Sequence, residues 1–455
     1  MPDAPRAVQT LSCGVRNPDM KHRLAATLAA SSFVAFGVTS AQGASPRALR
    51  LDEALRLADR NAPAIVQAFG QVRSGAAQTR SAFAAFLPTA NITASNTEQS
   101  PASPRVNPAT GELIAGRWAI TQGYAIGLQL FNGFQRLNRL RSARAGETVA
   151  DAGYTAQRFA IALQVKQQFF ASLAARESEV VAQAQVAQAE QQLVLAVARV
   201  QAQTATRSDS LRARIQVGTA RVALLQALND RAIADAALGR LVGLETAVTA
   251  SADGLPEESA AVPDSATLAR VEAEAPSVRS ALAQVGLARA DQRTARGQYW
   301  PTLSLNWNRN RAGPANDFSL MPDRFSYAGS LRFGLNIPLF DQLQREQAQV
   351  QAGIGLDNAE AQLRDTRLAA RQTATQALSA LGTARAQLQL QAEAVGAADE
   401  DLRVQQERYQ LGVATMLDVL TSHTTLAQAR AALVQARFNA RVARAQLEAL
   451  AGRLL

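Results

Sequence analysis

The hydrophobic and polar positions of this 455-residue chain follow two periods. Over most of its length apolar residues recur at helical spacing. Val186, Leu193 and Val200 stand seven apart, as do Leu381, Leu388, Val395, Leu402 and Tyr409, and Leu426, Leu433, Ala440 and Leu447 carry the series on. Sustained heptads keep one stripe of each helix facing a partner and predict left-handed coiled-coil packing. No proline lies between Pro108 and Pro256 or after Pro338, so nothing breaks these helices. The stretch from Arg136 to Gln203 alone would be about 100 Å long at about 1.5 Å per residue.

Two regions switch to strict alternation. Leu303, Leu305 and Trp307 interleave with Thr302, Ser304, Asn306 and Asn308; Tyr327, Leu331, Phe333, Leu335 and Ile337 interleave with Ala328, Ser330, Arg332 and Asn336. In the first half Ile120, Tyr124, Ile126, Leu128 and Leu130 alternate with Thr121, Gly123, Gly127 and Gln129, beside a weaker strand from Thr89 to Thr97. These are two-faced strands of about ten residues, the length that crosses a bilayer's apolar layer when tilted. Trp118, Trp307 and Tyr327 stand near strand ends, where interfacial aromatic girdles form. Soluble hairpins packed by one face alternate in the same way, and taken alone the strands favour that reading. A leader-like N-terminus and the proline-rich hairpin loops SPASPRVNPATGE and AGPANDFSLMPD shift the balance towards membrane strands.

The two halves match each other at a shift of about 210 residues, the mark of a duplicated unit. Pro63, Gln71, Val72, Arg80, Ala82, Pro88 and Thr89 recur as Pro276, Gln284, Val285, Arg293, Ala295, Pro301 and Thr302. Arg199, Gln201, Ala205, Thr206, Asp209 and Leu211 recur as Arg408, Gln410, Ala414, Thr415, Asp418 and Leu420, and Leu241 and Gly243 as Leu450 and Gly452. The expected layout is a leader at 1–44, a first unit at 45–252, a Pro/Gly-containing linker at 253–265 and a second unit at 266–455. Each unit reads as one helix (Leu51 to Phe86; Ala266 to Tyr299), a β-hairpin and two long helices.

The long helices are interrupted once per unit, at RVQAQTATRSDSL (Arg199 to Leu211) and at ERYQLGVATMLDVL (Glu407 to Leu420). Gly412 ends a helix as the residue just past its C-cap, and Thr415 restarts one as N-cap, with Asp418 three places on in a variant of the capping box. Thr206 and Asp209 repeat the arrangement, although Gln203 stands in the glycine's place. Both stretches are therefore hairpin tips. A carboxylate in a first turn is favourable in itself, so capping accounts for Asp209 and Asp418, and a functional role at the tip is compatible with it.

Composition narrows the function classes. The chain is 47% apolar but 5% aromatic, which suits close helix-on-helix packing. Its formal charge of +10 comes almost wholly from arginine, Lys21 and Lys166 being the only lysines. The arginines are scattered among Asp and Glu along helices, a solvated-face pattern rather than a nucleic-acid surface. From Met20 the chain reads MKHRLAATLAASSFVAFGVTSAQGA, a basic run, a short apolar stretch and small residues, which is the pattern of a secretory leader cleaved near Ala44. Cys13 lies upstream of that stretch and cannot carry a lipid anchor. Neither lysine sits in a P-loop, and His423 is the only histidine besides His22 in the leader, so ATP hydrolysis, a His-based metal site and a Ser-His dyad lack material. No cofactor and no enzymatic activity are expected.

Four membrane strands per chain leave two open edges, and each unpaired backbone group in hydrocarbon costs several kcal/mol. About eight strands are needed to close around side chains, so copies of this chain must pool strands. Two copies would give a filled barrel; three would leave room for water, which suits the small and polar inward residues Thr121, Gly123, Gly127, Ser304 and Asn306. The expected fold class is thus mainly α with a membrane β part: long antiparallel coiled-coil helices forming an α-barrel that continues a β-barrel of four strands per protomer.

The leader, the duplicated helix–hairpin–helix–helix units, LPT and WPT ahead of the strands, RYQLGVATMLDVL at the second tip and LAG at the end together resemble the TolC family of outer-membrane efflux proteins. The resemblance spans essentially the whole mature chain, and RY-x-x-G-x-x-x-x-LDVL is its most specific part. It implies a homotrimer with a shared twelve-stranded barrel in outer-membrane lipid and a twelve-helix periplasmic tunnel closed by its coiled tips. It also implies docking to a periplasmic adaptor (membrane fusion) protein and an inner-membrane ABC or proton-driven transporter. Tyr409 and Asp209 match the family pair that links the two hairpins of a protomer in the closed state, and Asp418 matches a tip aspartate of a selectivity ring. Ala414 stands where an arginine bridging protomers is expected, and Thr421 where a second ring aspartate is expected; Arg207 is the candidate substitute. The implied function is a passive exit duct for type I protein secretion, small-molecule efflux or both, the missing lipid-attachment cysteine leaning towards secretion. The alternative is a soluble periplasmic coiled-coil scaffold.

Overall fold

The computed structural model describes residues 47–452 apart from 99, 101–103, 107–110, 112, 116, 245, 247, 254–264, 316–317, 319 and 321–325. The leader and most of the linker expected from the sequence lie outside the described residues. In chain order the elements are β1 (Arg47–Leu49), α1 (Leu51–Asn61), α2 (Pro63–Ala84), β2 (Thr89–Glu98), β3 (Pro104–Val106), β4 (Leu113–Ala115), β5 (Trp118–Asn132), α3 (Gln135–Gln201), α4 (Arg207–Val242) and β6 (Val248–Ala250). The second half follows with α5 (Ser265–Glu274), α6 (Pro276–Arg296), β7 (Thr302–Ala315), β8 (Ala328–Asn336), α7 (Gln344–Gln410) and α8 (Met416–Ala451). The duplication is metrical: α3 and α7 each have 67 residues, and α4 and α8 each have 36.

The first helix of each unit is not continuous, contrary to the sequence expectation. It breaks at Ala62 and Ala275, which are extended (ψ 123° and 143°), and resumes with Pro63 and Pro276 at the first helical position. Proline disfavours helical backbone in the residue before it and suits the first turn, where its missing N–H is not needed. The sequence also gave no sign of a short parallel pairing of β1 with β6. It ties the start of the described chain to the end of α4 through Leu49, Val248 and Ala250, all fully buried.

The four long strands form one antiparallel sheet in the order β2-β5-β7-β8, so the two halves of the chain join through β5 and β7. Among the described residues the outer edges of β2 and β8 pair with nothing. β3 and β4 form a small hairpin within the loop from β2 to β5. The register sets Ile126 opposite Trp307, Leu128 opposite Leu305 and Phe333 opposite Leu305 on one face. On the other it sets Thr93 opposite Gly123, Gly123 opposite Asn310 and Gly127 opposite Asn306. The alternation therefore becomes one apolar and one small, polar face.

The helices pack as two antiparallel hairpins, α3 with α4 and α7 with α8, and α3 also runs along α8. Every heptad position named above from Leu381 to Leu447 is buried or half-buried. The α7–α8 seam is lined by Ala377, Leu381, Ala384, Ala440, Ala443 and Leu447; alternating alanine with leucine lets the axes approach closely. A larger core of Ile161, Val165, Phe169, Phe170 and Leu173 on α3 meets Leu238 and Val242 on α4 and Val434 and Phe438 on α8. Val194, Ile215, Leu225, Leu368 and Leu390 are each more than half exposed, more apolar helix surface than an isolated pair of hairpins can bury. No described helix is long and apolar enough to cross a membrane.

Candidate functional site at the helix tips

The two tips end their helices in the same way. After α3 the N–H of Gln203 donates to Val200 O (3.1 Å) and that of Thr204 to Arg199 O (3.0 Å); after α7 the N–H of Gly412 donates to Tyr409 O (3.2 Å) and that of Val413 to Arg408 O (2.9 Å). This crossed pair is a Schellman ending, which needs a left-handed residue past the C-cap. Gly412 (φ 78°) and Gln203 (φ 58°) both take that conformation. For glutamine it is unfavourable by about 1–2 kcal/mol. Gln203→Gly is therefore expected to stabilise the α3–α4 tip by about 1 kcal/mol, seen as slower cleavage of that tip by a protease in limiting amount; faster cleavage would contradict the assignment.

Both restarts are capping boxes. Asp418 Oδ2 accepts from Thr415 N–H (2.8 Å) and Thr415 Oγ1 (2.8 Å), while Asp418 N–H donates back to Thr415 Oγ1 at 3.3 Å. Asp209 Oδ2 accepts from Thr206 N–H at 3.0 Å and Thr206 Oγ1 at 2.8 Å. Asp418 is exposed. Donation from the Thr415 backbone and hydroxyl, aided by the Arg408 charge, holds its carboxyl below the usual carboxylate range, so it is anionic at neutral pH. Thr421, one turn on, is exposed and returns its hydroxyl to Leu417 O (2.9 Å). Arg207 is exposed, and its guanidinium joins no ion pair among the described residues.

The Tyr409–Asp209 bond that the resemblance implies for the closed state is absent from this structure. Asp209 is engaged at its own cap, and the buried Tyr409 hydroxyl has no hydrogen-bond partner. What joins the hairpins here is Arg199 of α3. Its guanidinium lies 4.3 Å from the Tyr409 ring centre and donates to Tyr409 O (2.7 Å) and Gln410 O (3.0 Å), carbonyls of the last turn of α7. A cation there also complements the helix dipole. Tyr409 packs beside Ala196, Ala213 and Met416, an apolar knot drawn from both hairpins. Arg199 was one of the recurring residues of the repeat, paired with Arg408, and that recurrence was the signal available for it. A carbonyl acceptor leaves no trace in side-chain pattern, so its partner was not legible.

Just above the tip a cavity of about 190 Å³ separates the hairpins, lined among others by Gln188, Gln192, Gln216, His423 and Arg430. Burial, and then the Arg430 charge, lower the His423 pKa, so the imidazole is neutral at physiological pH. Ser422 donates to Asp401 Oδ2 at 2.5 Å across the α7–α8 seam. No cluster of potential metal ligands occurs among the described residues.

At the opposite end the polar face of the sheet is close-fitted. A side chain at Gly123 would collide with the Asn310 amide, and one at Gly127 would crowd Thr89 and Asn306. Meanwhile Leu331, Phe333 and Leu335 on the apolar face are each more than half exposed.

The sequence pattern of the outer membrane efflux protein family matches residues 54–244 and 267–453. Among solved structures, the outer membrane protein VceC of Vibrio cholerae is similar over 89% of this chain and 97% of its own (TM-score 0.73, 20% identity). The CmeC outer membrane channel of Campylobacter jejuni is similar over 88% and 85% (TM-score 0.73, 19% identity). The MtrE outer membrane channel of Neisseria gonorrhoeae, solved in an open state, is similar over 89% of each chain (TM-score 0.71, 18% identity). Comparison with curated protein sequences finds no match.

Proposed function

Because this chain belongs to the outer membrane efflux protein family, and is thus an outer-membrane channel protein with a periplasmic helical part, we propose that three copies assemble into one exit duct. The observation that carries this reading is the open sheet: four strands, two unpartnered edges among the described residues, and an exposed apolar face. Edges in hydrocarbon must be closed, and three copies supply twelve strands, enough for a wet bore lined by the Asn, Thr, Ser and Gly face. The unburied apolar surface of α3, α4 and α7 supports the same pooling among helices. A soluble scaffold is disfavoured, because it would leave Phe333 and Leu335 in water.

The duct is passive and works with a periplasmic adaptor and an inner-membrane ABC or proton-driven transporter, which supplies the energy. Type I protein secretion and small-molecule efflux share this conduit. A deletion strain assayed both for missing secreted polypeptides and for dye accumulation separates them. Assembly is tested on the detergent-purified protein: a trimer mass and current steps in planar bilayers are expected, whereas a non-conducting monomer would overturn the reading.

The tips form the gate in this reading, with one Asp418 from each copy placing three carboxylates around the axis. Three converging anions attract cations, more weakly than six would. Asp418→Ala is expected to lower the cation-over-anion permeability ratio several-fold and to weaken block by divalent cations. An unchanged reversal potential in a salt gradient would leave Asp418 as a helix cap alone.

A further inference from the structure

On the apolar face of the sheet, the described side chains beyond Trp307 change character. Arg309 and Arg311 of β7 both lie over the ring of Tyr327, at 5.0 Å and 4.7 Å from its centre. Arg311 Nε donates to Gln122 Oε1 at 2.6 Å, and the Tyr327 hydroxyl donates to the same oxygen at 3.3 Å. The Tyr124 ring packs 5.9 Å from that of Tyr327. Two guanidinium groups thus share one aromatic ring. No described carboxylate pairs with either, although other surface arginines such as Arg117, Arg221 and Arg403 have one. Two cations gathered at one ring repel, and a bound anion offsets that repulsion.

Their height along the strand identifies the anion. Arg309 and Arg311 stand seven and nine residues beyond Thr302, the end of β7 nearest the helices. With about 3.3 Å per residue and about 40° of tilt, that is about 18 and 23 Å. Exposed Ile337, Leu339 and Phe340 extend the apolar surface the other way, so an apolar band of about 25 Å ends near the two arginines. Beyond them Ile120 is buried, and Trp118 packs edge-on at 5.6 Å against an exposed Phe318, an aromatic pair of the kind that gathers where the apolar band meets the headgroups. β7 is an inner strand of the sheet, paired on both sides, so it stays clear of any seam between copies.

We propose that Arg309, Arg311, Gln122 and Tyr327 form a binding site for the phosphate of a lipid headgroup in the outer leaflet. Guanidinium forks match phosphate oxygens bidentately. The Gln122 carboxamide and the Tyr327 ring hold the forks in place, and the Leu, Ile and Trp side chains below receive the acyl chains. The site rests on the apolar face being the lipid-facing one, as in the proposed duct.

The test is native mass spectrometry of the detergent-purified full chain titrated with bis-phosphorylated lipid A, for the wild type, Arg309→Gln/Arg311→Gln and Arg309→Lys/Arg311→Lys. At least tenfold weaker lipid binding is expected for the glutamine pair and an intermediate loss for the lysine pair, with oligomer mass and conductance unchanged in both. Phosphate-free lipid should bind all three equally, and millimolar inorganic phosphate should not displace lipid A. Equal lipid A binding by wild type and the glutamine pair overturns the site, as does full displacement by inorganic phosphate, which would mark an ion site only. If the glutamine pair fails to assemble, Arg309→Gln alone is read in the same way. Failure of the duct itself shows differently, as a wild type that neither assembles nor conducts.

Discussion

Arg199→Ala is expected to raise the resting conductance of the protein in planar bilayers about tenfold, by loosening the join between the two hairpins of each protomer. Three interactions depend on this one side chain: hydrogen bonds to Tyr409 O and Gln410 O, and the stack over the Tyr409 ring. Hydrogen bonds made by a charged donor are worth about 1.5–3 kcal/mol, and an exposed cation–π contact about 0.5–1 kcal/mol. The second bond is exposed to water, so a net loss of about 2 kcal/mol per protomer is the reasonable size. Since about 1.4 kcal/mol is a factor of ten in an equilibrium, separated hairpins would become more than ten times as common. Arg199→Lys should fall between the two, because an ammonium cannot reach both carbonyls and also lie flat on the ring. Tyr409→Phe should change little, since the Tyr409 hydroxyl makes no bond here. A large opening in Tyr409→Phe with none in Arg199→Ala would reverse the assignment and restore the Tyr409–Asp209 link.

The outcome at the tips shows which parts of the structure were legible in the sequence. Helix ends obey local rules, so Thr206, Asp209, Gly412, Thr415 and Asp418 could be placed from spacing alone, and each has the cap geometry that the spacing required. The strands were legible for the same reason: alternation fixes which face a residue occupies, and Gly123 facing Asn310 follows once the register is set. The breaks at Ala62 and Ala275 were written in Pro63 and Pro276, because proline disfavours helical backbone in the residue before it; the expectation of one continuous helix followed the apolar period across that signal. The β1–β6 pairing joins residues about 200 positions apart through three-residue strands, too short for any period to show. Arg199 eluded a reading based on side-chain partners because its acceptors are backbone carbonyls.

Glu448→Gln is expected to be the most destabilising single exchange in the helical part, and its cost should exceed that of Lys166→Met although both break the same ion pair. Lys166 of α3 and Glu448 of α8 meet between the hairpins with side chains 10% and 12% exposed. Arg444 also contacts Glu448, at 3.2 Å. Removing the carboxylate therefore strands a buried ammonium and takes a partner from Arg444, whereas removing Lys166 leaves Glu448 still paired with Arg444. Breaking a buried pair from one side costs about 3–5 kcal/mol, since the remaining charge keeps its desolvation penalty. Replacing both members by apolar groups removes the penalty along with the attraction. Lys166→Met/Glu448→Leu should accordingly regain most of what Glu448→Gln loses. The check is thermal loss of the helical circular dichroism signal in detergent. Midpoints should rise from Glu448→Gln to Lys166→Met and then to the double variant. Equal midpoints for the two single variants would mean that Arg444 does not share the carboxylate, and a double variant as unstable as Glu448→Gln would mean that the pair itself holds the hairpins together.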